Sequence, residues 1–159
     1  HKVMDLGANT GMLTEALMAR GASVTAVEQD VHLLRRVKDR FEQEERRPRI
    51  VRQDLEDMKN VPAERYDHVT LMNVLHRLHE PAAVLAQAFK ALKTGGKLTI
   101  SDILPTGGIE AHFNAVDAAQ LGSRERRSLD GDERRGPEEA VGPAQVGEAP
   151  RTFVMSVIA

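Results

Sequence analysis

Four residues near the start of the chain have the types and spacing of a ligand-binding turn. A short apolar run leads into Asp5, Gly7, Asn9 and Gly11. Glycines at such a turn let the backbone approach a ligand, and the helix that follows presents free N–H groups and its positive dipole end. The dinucleotide-binding pattern G-x-G-x-x-G does not fit, because Met12 stands at its last glycine. The segment predicts a ligand-binding turn, with a plain tight β–α turn as the alternative.

Two carboxylates follow later strand-like segments. Glu28 ends the segment that begins at Ser23, and Asp54 follows Arg49–Arg52. A carboxylate at the C-terminal edge of a parallel sheet can accept hydrogen bonds from both hydroxyls of a ribose. The alternatives are a solvated strand end for Glu28 and a helix N-cap for Asp54.

A third cluster lies at the end of the apolar segment Tyr66–Met72, where Asn73, His76 and His79 stand. A histidine beside a reacting group can act as a general base. The His-x-x-His spacing could also bind a metal, but the sequence has no Cys and no third ligand in register, so no metal site is expected. A structural or hydrogen-bonding role is the alternative for each histidine. Asp102, further on, could contact a substrate or cap a turn.

The elements that position these residues alternate along the chain. Strands are predicted to end near Leu6, Glu28, Arg52, Met72 and Leu104. Helices are predicted at Met12–Ala19, from a cap at Asp30 to about Glu44, and from Pro81 to a stop at Thr94-Gly95-Gly96. This order predicts an α/β fold with a doubly wound, mostly parallel sheet and helices on both faces. The last strand, Thr152–Ile158, is expected at the edge, with an antiparallel direction as one option.

The chain is expected to form one domain in three stretches. Residues 1–121 form the α/β core, and residues 151–159 add the final edge strand. Residues 122–150 are rich in Arg, Glu, Gly and Pro, which predicts a loop or a disordered insertion. The chain begins at His1 with a strand almost at once, which suggests an excised or truncated domain.

Taken together, these motifs resemble the class I (Rossmann-like) S-adenosylmethionine-dependent methyltransferases, in their small-molecule (type 11/12-like) group. Residues 5–11 resemble the family's first motif, an acidic residue followed by G-x-G-x-G, with Asn9 at the middle glycine. Residues 66–81 resemble its fourth-strand motif, YD-x-V-x-x-x-x-V-L-H-H-L-x-x-P, and residues 92–98 its L-K-P-G-G-x-L turn. The resemblance covers about residues 2–104.

The resemblance implies S-adenosylmethionine as the cofactor and in-line methyl transfer to an O, N, C or S nucleophile of a small molecule. It implies that Asp54 faces the adenine amino group and that the backbone N–H of Leu55 faces a ring nitrogen. The implied cofactor-binding residues are Asp5, Gly7, Asn9, Thr10, Gly11, Glu28, Gln29, Asp54, Leu55 and Asn73. The implied catalytic residues, beside the methyl donor, are His76 and His79.

Composition limits the partners. The formal charge of −2 gives no general attraction to nucleic acid or membranes, and no apolar run approaches the roughly 20 residues of a membrane helix. Asn73-Val74-Leu75-His76 stands where an N-P-P-Y sequence would indicate methylation of a base amino group, so a small-molecule acceptor is favoured over RNA or DNA. The absence of cysteine is compatible with a cytoplasmic location.

Two other functions stay open at this point. One is a non-catalytic or truncated S-adenosylmethionine-binding domain of a larger protein. The other, an NAD-dependent oxidoreductase, is disfavoured by Met12 and by the Gly95-Gly96 turn.

Overall fold

One seven-stranded sheet and three α-helices make up the part of the chain that the structure describes. This computed structural model describes residues 1–58, 61–103, 126–128 and 152–158. The strands are β1 (Lys2–Leu6), β2 (Ser23–Glu28), β3 (Arg49–Arg52), β4 (Tyr66–Met72), β5 (Leu92–Ile103), β6 (Arg126–Ser128) and β7 (Thr152–Ile158). The helices are α1 (Met12–Ala19), α2 (Val31–Arg40) and α3 (Pro81–Ala91), with 3₁₀ turns at Leu55–Asp57 and Leu75–Arg77.

The strand order across the sheet is β3-β2-β1-β4-β5-β7-β6. Strands β1 to β5 are parallel, which confirms the predicted doubly wound α/β fold. Strand β7 is antiparallel to β5, which is one of the two directions that the sequence left open for the last strand. It is not the edge strand, however, because β6 pairs with its residues 155–157 on the other side.

Alternating residues of β1 separate the two faces of the sheet. Val3 packs in a cluster with Met18 of α1 and Val37 of α2, whereas Met4 packs in a cluster with Leu85 of α3. Side chains alternate between faces along a strand, so each face is covered by its own helices. The prediction of helices on both faces is therefore confirmed.

Helix α2 ends earlier than predicted, at Arg40 rather than near Glu44. Its start agrees with the sequence: the carboxylate of Asp30 accepts hydrogen bonds from the N–H groups of His32 and Leu33 at 2.7 and 3.1 Å. After Phe41, which is buried, the chain presents only exposed polar residues up to position 47. A longer helix would bury no further apolar surface, so nothing offsets its ordering entropy.

Strand β5 begins at Leu92 rather than at the predicted Lys97. The turn predicted to stop the preceding helix is an irregularity within the strand, where the register with β4 shifts between Tyr66 and His68. Gly95 has a φ of +78° there, a conformation that glycine adopts without strain. The predicted strand end at Leu104 lies outside the described residues, and β5 is described to Ile103.

Within the predicted loop or insertion at 122–150, the structure describes only Arg126–Ser128. These three residues form β6, so the interpretation as a loop does not hold at that point. The remainder of 122–150, and with it most of that prediction, lies outside the described residues.

Candidate active site

The turn after β1 has the backbone that its sequence predicted. Gly7 and Gly11 have φ angles of +74° and +82°, and Asn9, between them, has +53°. A Cβ atom on Gly7 would lie 2.4 Å from Cγ2 of Val74, so only glycine fits without a shift of its neighbours. The N–H groups of Gly7 and Ala8 both donate to the carbonyl oxygen of Val27, at 2.9 and 3.0 Å, which holds the turn against β2.

Asp5 lies beneath this turn and is only 1% exposed. Its carboxylate accepts hydrogen bonds from the hydroxyls of Thr14 in α1 and Thr70 in β4, at 2.7 and 2.9 Å. Burial raises the pKa of Asp5, and the two threonine hydrogen bonds oppose that rise. Asp5 therefore connects three elements under the turn rather than facing the crevice above it.

The side chain of Glu28 holds the same turn from the end of β2. Its carboxylate accepts hydrogen bonds from the N–H groups of Asn9, Gln29 and Asp30, at 3.0, 2.8 and 3.0 Å. A carboxylate has about four acceptor positions, so roughly one remains for a further donor. Glu28 thus both positions the turn and lines the crevice.

A crevice of about 400 Å³ lies at the C-terminal edge of the sheet, within the usual range for small-molecule sites. It brings together most of the residues predicted from the sequence, namely Gly7, Asn9, Glu28, Gln29, Asp54, Leu55, Asn73 and His79. It does not include four others, namely Asp5, Thr10, Gly11 and His76. Thr10 faces α2, where its carbonyl oxygen accepts a hydrogen bond from Nε of Arg40 at 3.0 Å.

Sequence reasoning missed seven lining residues: Asp30, Leu33, Glu56, Met72, Val74, Arg77 and Leu78. Each stands within a few positions of a residue that was predicted, so adjacency to a strand end was the available signal. Arg77 and Leu78 lie between the predicted residues His76 and His79.

The lining suits an adenosine. Leu33, Leu55 and Leu78 offer apolar surface for a flat base, while Glu28 and Asp54 offer acceptors for hydroxyl and amino hydrogens. Oδ1 of Asp54 also accepts the Glu56 N–H at 2.9 Å, so the N-cap alternative for Asp54 holds alongside its place in the crevice.

The end of β4 is held by Asn73, whose N–H donates to the carbonyl oxygen of Ser101 in β5 at 2.7 Å. Asn73 has a φ of +54°, in the left-handed region that few residues other than glycine adopt. Backbone in this region is commonly found at functional sites. The left-handed backbone at Asn73 redirects the chain after β4, so that Asn73 and Val74 line the crevice.

His76 is paired with Asp102, at the ends of β4 and β5. Nδ1 of His76 lies 2.5 Å from Oδ1 of Asp102, whose side chain is fully buried. The other oxygen of Asp102 accepts the backbone N–H of His76 at 3.3 Å. Because a carboxylate only accepts, the proton of the imidazole lies on Nδ1 and the lone pair on Nε2. An imidazole oriented in this way has the chemistry that a general base requires, and its Nε2 accepts a hydrogen bond from Nε of Arg77 at 3.3 Å.

His79 has a different partner, Glu56, which follows β3. Its backbone N–H and its Nδ1 lie 2.6 and 3.0 Å from the two oxygens of that carboxylate. Hydrogen bonding and charge from Glu56 raise the pKa of His79, and the same contact lowers the pKa of Glu56. The pair closes one side of the crevice by joining the loops after β3 and β4.

Comparison with known proteins shows to which protein family the chain belongs. The methyltransferase domain family matches residues 4–100. The chain belongs to that family. The sequence-based prediction of an S-adenosylmethionine-dependent methyltransferase is thereby confirmed at the level of the family, and so is its cofactor, S-adenosylmethionine.

The methyltransferase domain is 34% identical over 101 residues to a ubiquinone biosynthesis O-methyltransferase of Coxiella burnetii. The match covers 64% of this chain and 43% of that protein, so the chain spans less than half the length of this relative.

Solved structures show the same fold. An S-adenosylmethionine-dependent methyltransferase of Mesorhizobium loti is 15% identical, with a TM-score of 0.72 over 99% of this chain and 90% of that one. A phosphoethanolamine N-methyltransferase of Haemonchus contortus, in complex with phosphomonomethylethanolamine and S-adenosylhomocysteine, is also 15% identical. Its TM-score is 0.70, over 81% of this chain and 35% of that one. At this identity the similarity concerns the fold alone.

No helix in the described ranges is both long and apolar enough to cross a membrane. Nor do the described residues hold a group of three or more His, Asp or Glu side chains placed to share a metal ion.

Proposed function

We propose that this methyltransferase domain transfers the methyl group of S-adenosylmethionine to a hydroxyl oxygen of a small molecule, with His76 as the general base. The observation that carries the proposal is the pair formed by His76 and the buried Asp102, 2.5 Å apart at the ends of adjacent strands. A hydroxyl must lose its proton when its oxygen is methylated, and this pair presents a lone pair on Nε2 that can take it.

Asp102 holds His76 in that state. It accepts the Nδ1 proton and the backbone N–H of His76, and it also accepts the N–H of Ile103 at 2.7 Å. These contacts fix the imidazole ring and its tautomer, because a rotated ring would remove one of the three hydrogen bonds of a buried carboxylate. The buried carboxylate also stabilises the imidazolium that forms when Nε2 accepts a proton.

The cofactor side of the crevice is assigned to the residues that line it. Glu28 would use its remaining acceptor position for a ribose hydroxyl, Asp54 and the N–H of Leu55 would contact the adenine, and Gly7 and Asn9 would let the turn approach the methionine part. When bound, S-adenosylmethionine supplies a sulfonium methyl that is already activated, so the protein has to orient the acceptor and exclude water. We assign His79 a positioning role, through Glu56, rather than a catalytic one.

The relatives support this choice of acceptor atom, since the matched protein of Coxiella burnetii is named an O-methyltransferase. A hydroxyl is thus favoured over the N, C and S nucleophiles that the sequence left open. We infer that the acceptor is a small molecule rather than a nucleic acid, and that the protein works in the cytoplasm, which the absence of cysteine supports.

The test compares binding with turnover. Calorimetry with S-adenosylhomocysteine measures the cofactor site, and methyl transfer to a panel of phenols, amines and thiols measures the chemistry. The variant His76→Gln should retain cofactor affinity and lose about 10²- to 10⁴-fold in kcat on phenols. The matched control is His1→Gln, which lies before β1 at the N-terminal ends of the parallel strands, away from the crevice. This variant should behave like the parent chain. Cofactor binding without transfer to any acceptor would instead favour the binding-only domain.

A further inference from the structure

Arg77 has an unusual position between the crevice and His76. It lines the crevice, whereas His76 does not. Nε of Arg77 donates to Nε2 of His76, with the two nitrogens 3.3 Å apart. The lone pair that the proposed base must use is therefore covered by a guanidinium group, and a substrate in the crevice meets Arg77 first.

Arg77 is also the only lysine or arginine among the described residues that line the crevice. The crevice carboxylates already have other partners: Asp30 and Asp54 cap helical turns, and Glu56 pairs with His79. None of the salt bridges among the described residues includes Arg77. Its positive charge is therefore available to a ligand.

The charges are distributed unevenly along the crevice. Glu28 ends β2, and Asp30, Asp54 and Glu56 follow β2 and β3, whereas Arg77 follows β4, on the far side of β1 in the strand order. The carboxylate of Glu56 reaches the β4 side, where its partner is His79. Neighbouring strands are about 4.8 Å apart, so the strand end before Arg77 lies two or three strand widths from the strand ends at Glu28, Asp30 and Asp54. An anionic group would be repelled from the β2–β3 end and attracted to Arg77.

We propose that Arg77 selects a hydroxylated acceptor that also carries a carboxylate. The carboxylate would accept hydrogen bonds from the guanidinium and draw Arg77 away from His76, which frees Nε2 for the acceptor hydroxyl. Arginine suits this role, because its planar fork binds a carboxylate through two parallel hydrogen bonds. The inference rests on the proposed function, since it specifies the acceptor class of the same site.

The reaction then balances without any further component. The acceptor hydroxyl gives its proton to Nε2 of His76, its oxygen forms the new bond to the methyl carbon, and the carbon–sulfur bond of the donor breaks. The products are the methyl ether, S-adenosylhomocysteine and a proton that His76 returns to solvent. The acceptor carboxylate is unchanged and stays on Arg77 throughout.

The test uses two probes of the same shape, 3,4-dihydroxybenzoate and its neutral amide, 3,4-dihydroxybenzamide. Binding of each is measured by calorimetry on the chain saturated with S-adenosylhomocysteine. The parent chain should bind the acid about tenfold or more tightly than the amide, the size expected for a charge-assisted hydrogen bond. Arg77→Gln should abolish this preference and Arg77→Lys should retain part of it. The control Arg20→Gln, at the end of α1, should keep it in full.

A second readout detects the release of His76. In the parent chain, the acid but not the amide should shift the NMR signal of the His76 ring, and Arg77→Gln should remove that difference. Equal affinity of the parent chain for both probes, no measurable binding of either, or a preference that survives Arg77→Gln would overturn the inference. Methylation of neutral phenols without any acid preference would leave the proposed function standing while the inference fails. An acid preference that depends on Arg77, without methyl transfer to any acceptor, would support Arg77 as a carboxylate-binding residue while the proposed function fails.

Discussion

The carboxylate of Glu28 and the backbone of Asn9 are bound directly to each other: the Asn9 N–H donates to Oε2 of Glu28 at 3.0 Å. This contact joins the turn after β1 to the end of β2. The shape of that turn, on the cofactor side of the crevice, therefore depends on a side chain that is itself expected to contact the cofactor. Binding and preorganisation of the turn are thus coupled at one residue.

The substitution Glu28→Gln tests this coupling. The amide keeps the size of the side chain, but one of its two polar ends donates instead of accepting, so one backbone N–H loses its partner. We expect the affinity for S-adenosylhomocysteine to fall by about tenfold or more, equivalent to roughly 1.5–3 kcal/mol for hydrogen bonds to a charged group. Calorimetry measures the effect, with the exposed Glu45→Gln as a control. Unchanged affinity would show that Glu28 is only a strand end.

The turn itself is tested by Gly7→Ala. The new Cβ would lie 2.4 Å from Val74 at a φ of +74°, so the variant combines backbone strain with a steric clash. Gly21→Ala is a matched control, because Gly21 has a φ of +87° but no atom within 4 Å of the added Cβ. Strain alone should lower the free energy of unfolding of Gly21→Ala by about 1–2 kcal/mol. Overpacking should lower that of Gly7→Ala by about 1–3 kcal/mol more, as measured by urea unfolding. Equal losses in the two variants would contradict the clash.

How much of this site the sequence could predict depends on the kind of contact. The strand ends and the glycine turn were predictable because apolar periodicity sets the strands, and parallel strands bring their C-terminal ends to one edge. For this reason the sequence alone assigns Gly7, Glu28 and Asn73 to one crevice.

The remaining features depend on side-chain contacts across loops, which leave no periodic signal. Glu56 lies 23 positions before His79, and nothing in the spacing indicates that they pair. Asp5 was expected to contact the cofactor, yet its two threonine partners place it in the core instead. The covering of His76 by Arg77 was equally hidden, since consecutive residues of a 3₁₀ turn point about 120° apart and their spacing gives no reason to expect a contact.

The pairing of Glu56 with His79 predicts a pH dependence. Glu56 raises the pKa of His79, so the pair's contribution to stability is complete below the unfolded-state histidine pKa of about 6.5. It is lost as the pH rises through the higher pKa of the folded state. The pKa of Glu56 is lowered, so the contribution is also lost on acidification, below the unfolded-state glutamate pKa of about 4.3 and through the folded one.

An NMR titration of the His79 ring checks this directly. Its pKa in the parent chain should exceed that in Glu56→Gln, where the charge and the ion pair are removed. The His1 ring serves as an internal reference, and its titration should not change between the two proteins. Identical His79 titrations would show that the contact with Glu56 does not persist in solution.

The last prediction concerns Asp102, which should act through His76 rather than on the substrate. In Asp102→Asn the amide NH₂ can donate to Nδ1 of His76, which favours the tautomer that carries its proton on Nε2. That imidazole has no lone pair for the acceptor hydroxyl, so kcat should fall by about 10²- to 10⁴-fold with little change in KM or in cofactor affinity. Because solvent hydroxide must then take the proton, the residual rate should depend more steeply on pH than the rate of the parent enzyme. The exposed Asp39→Asn controls for the loss of one charge and should follow the parent profile. If Asp102→Asn also kept both the rate and the profile, the proton would have to leave by a route that does not use the His76–Asp102 pair.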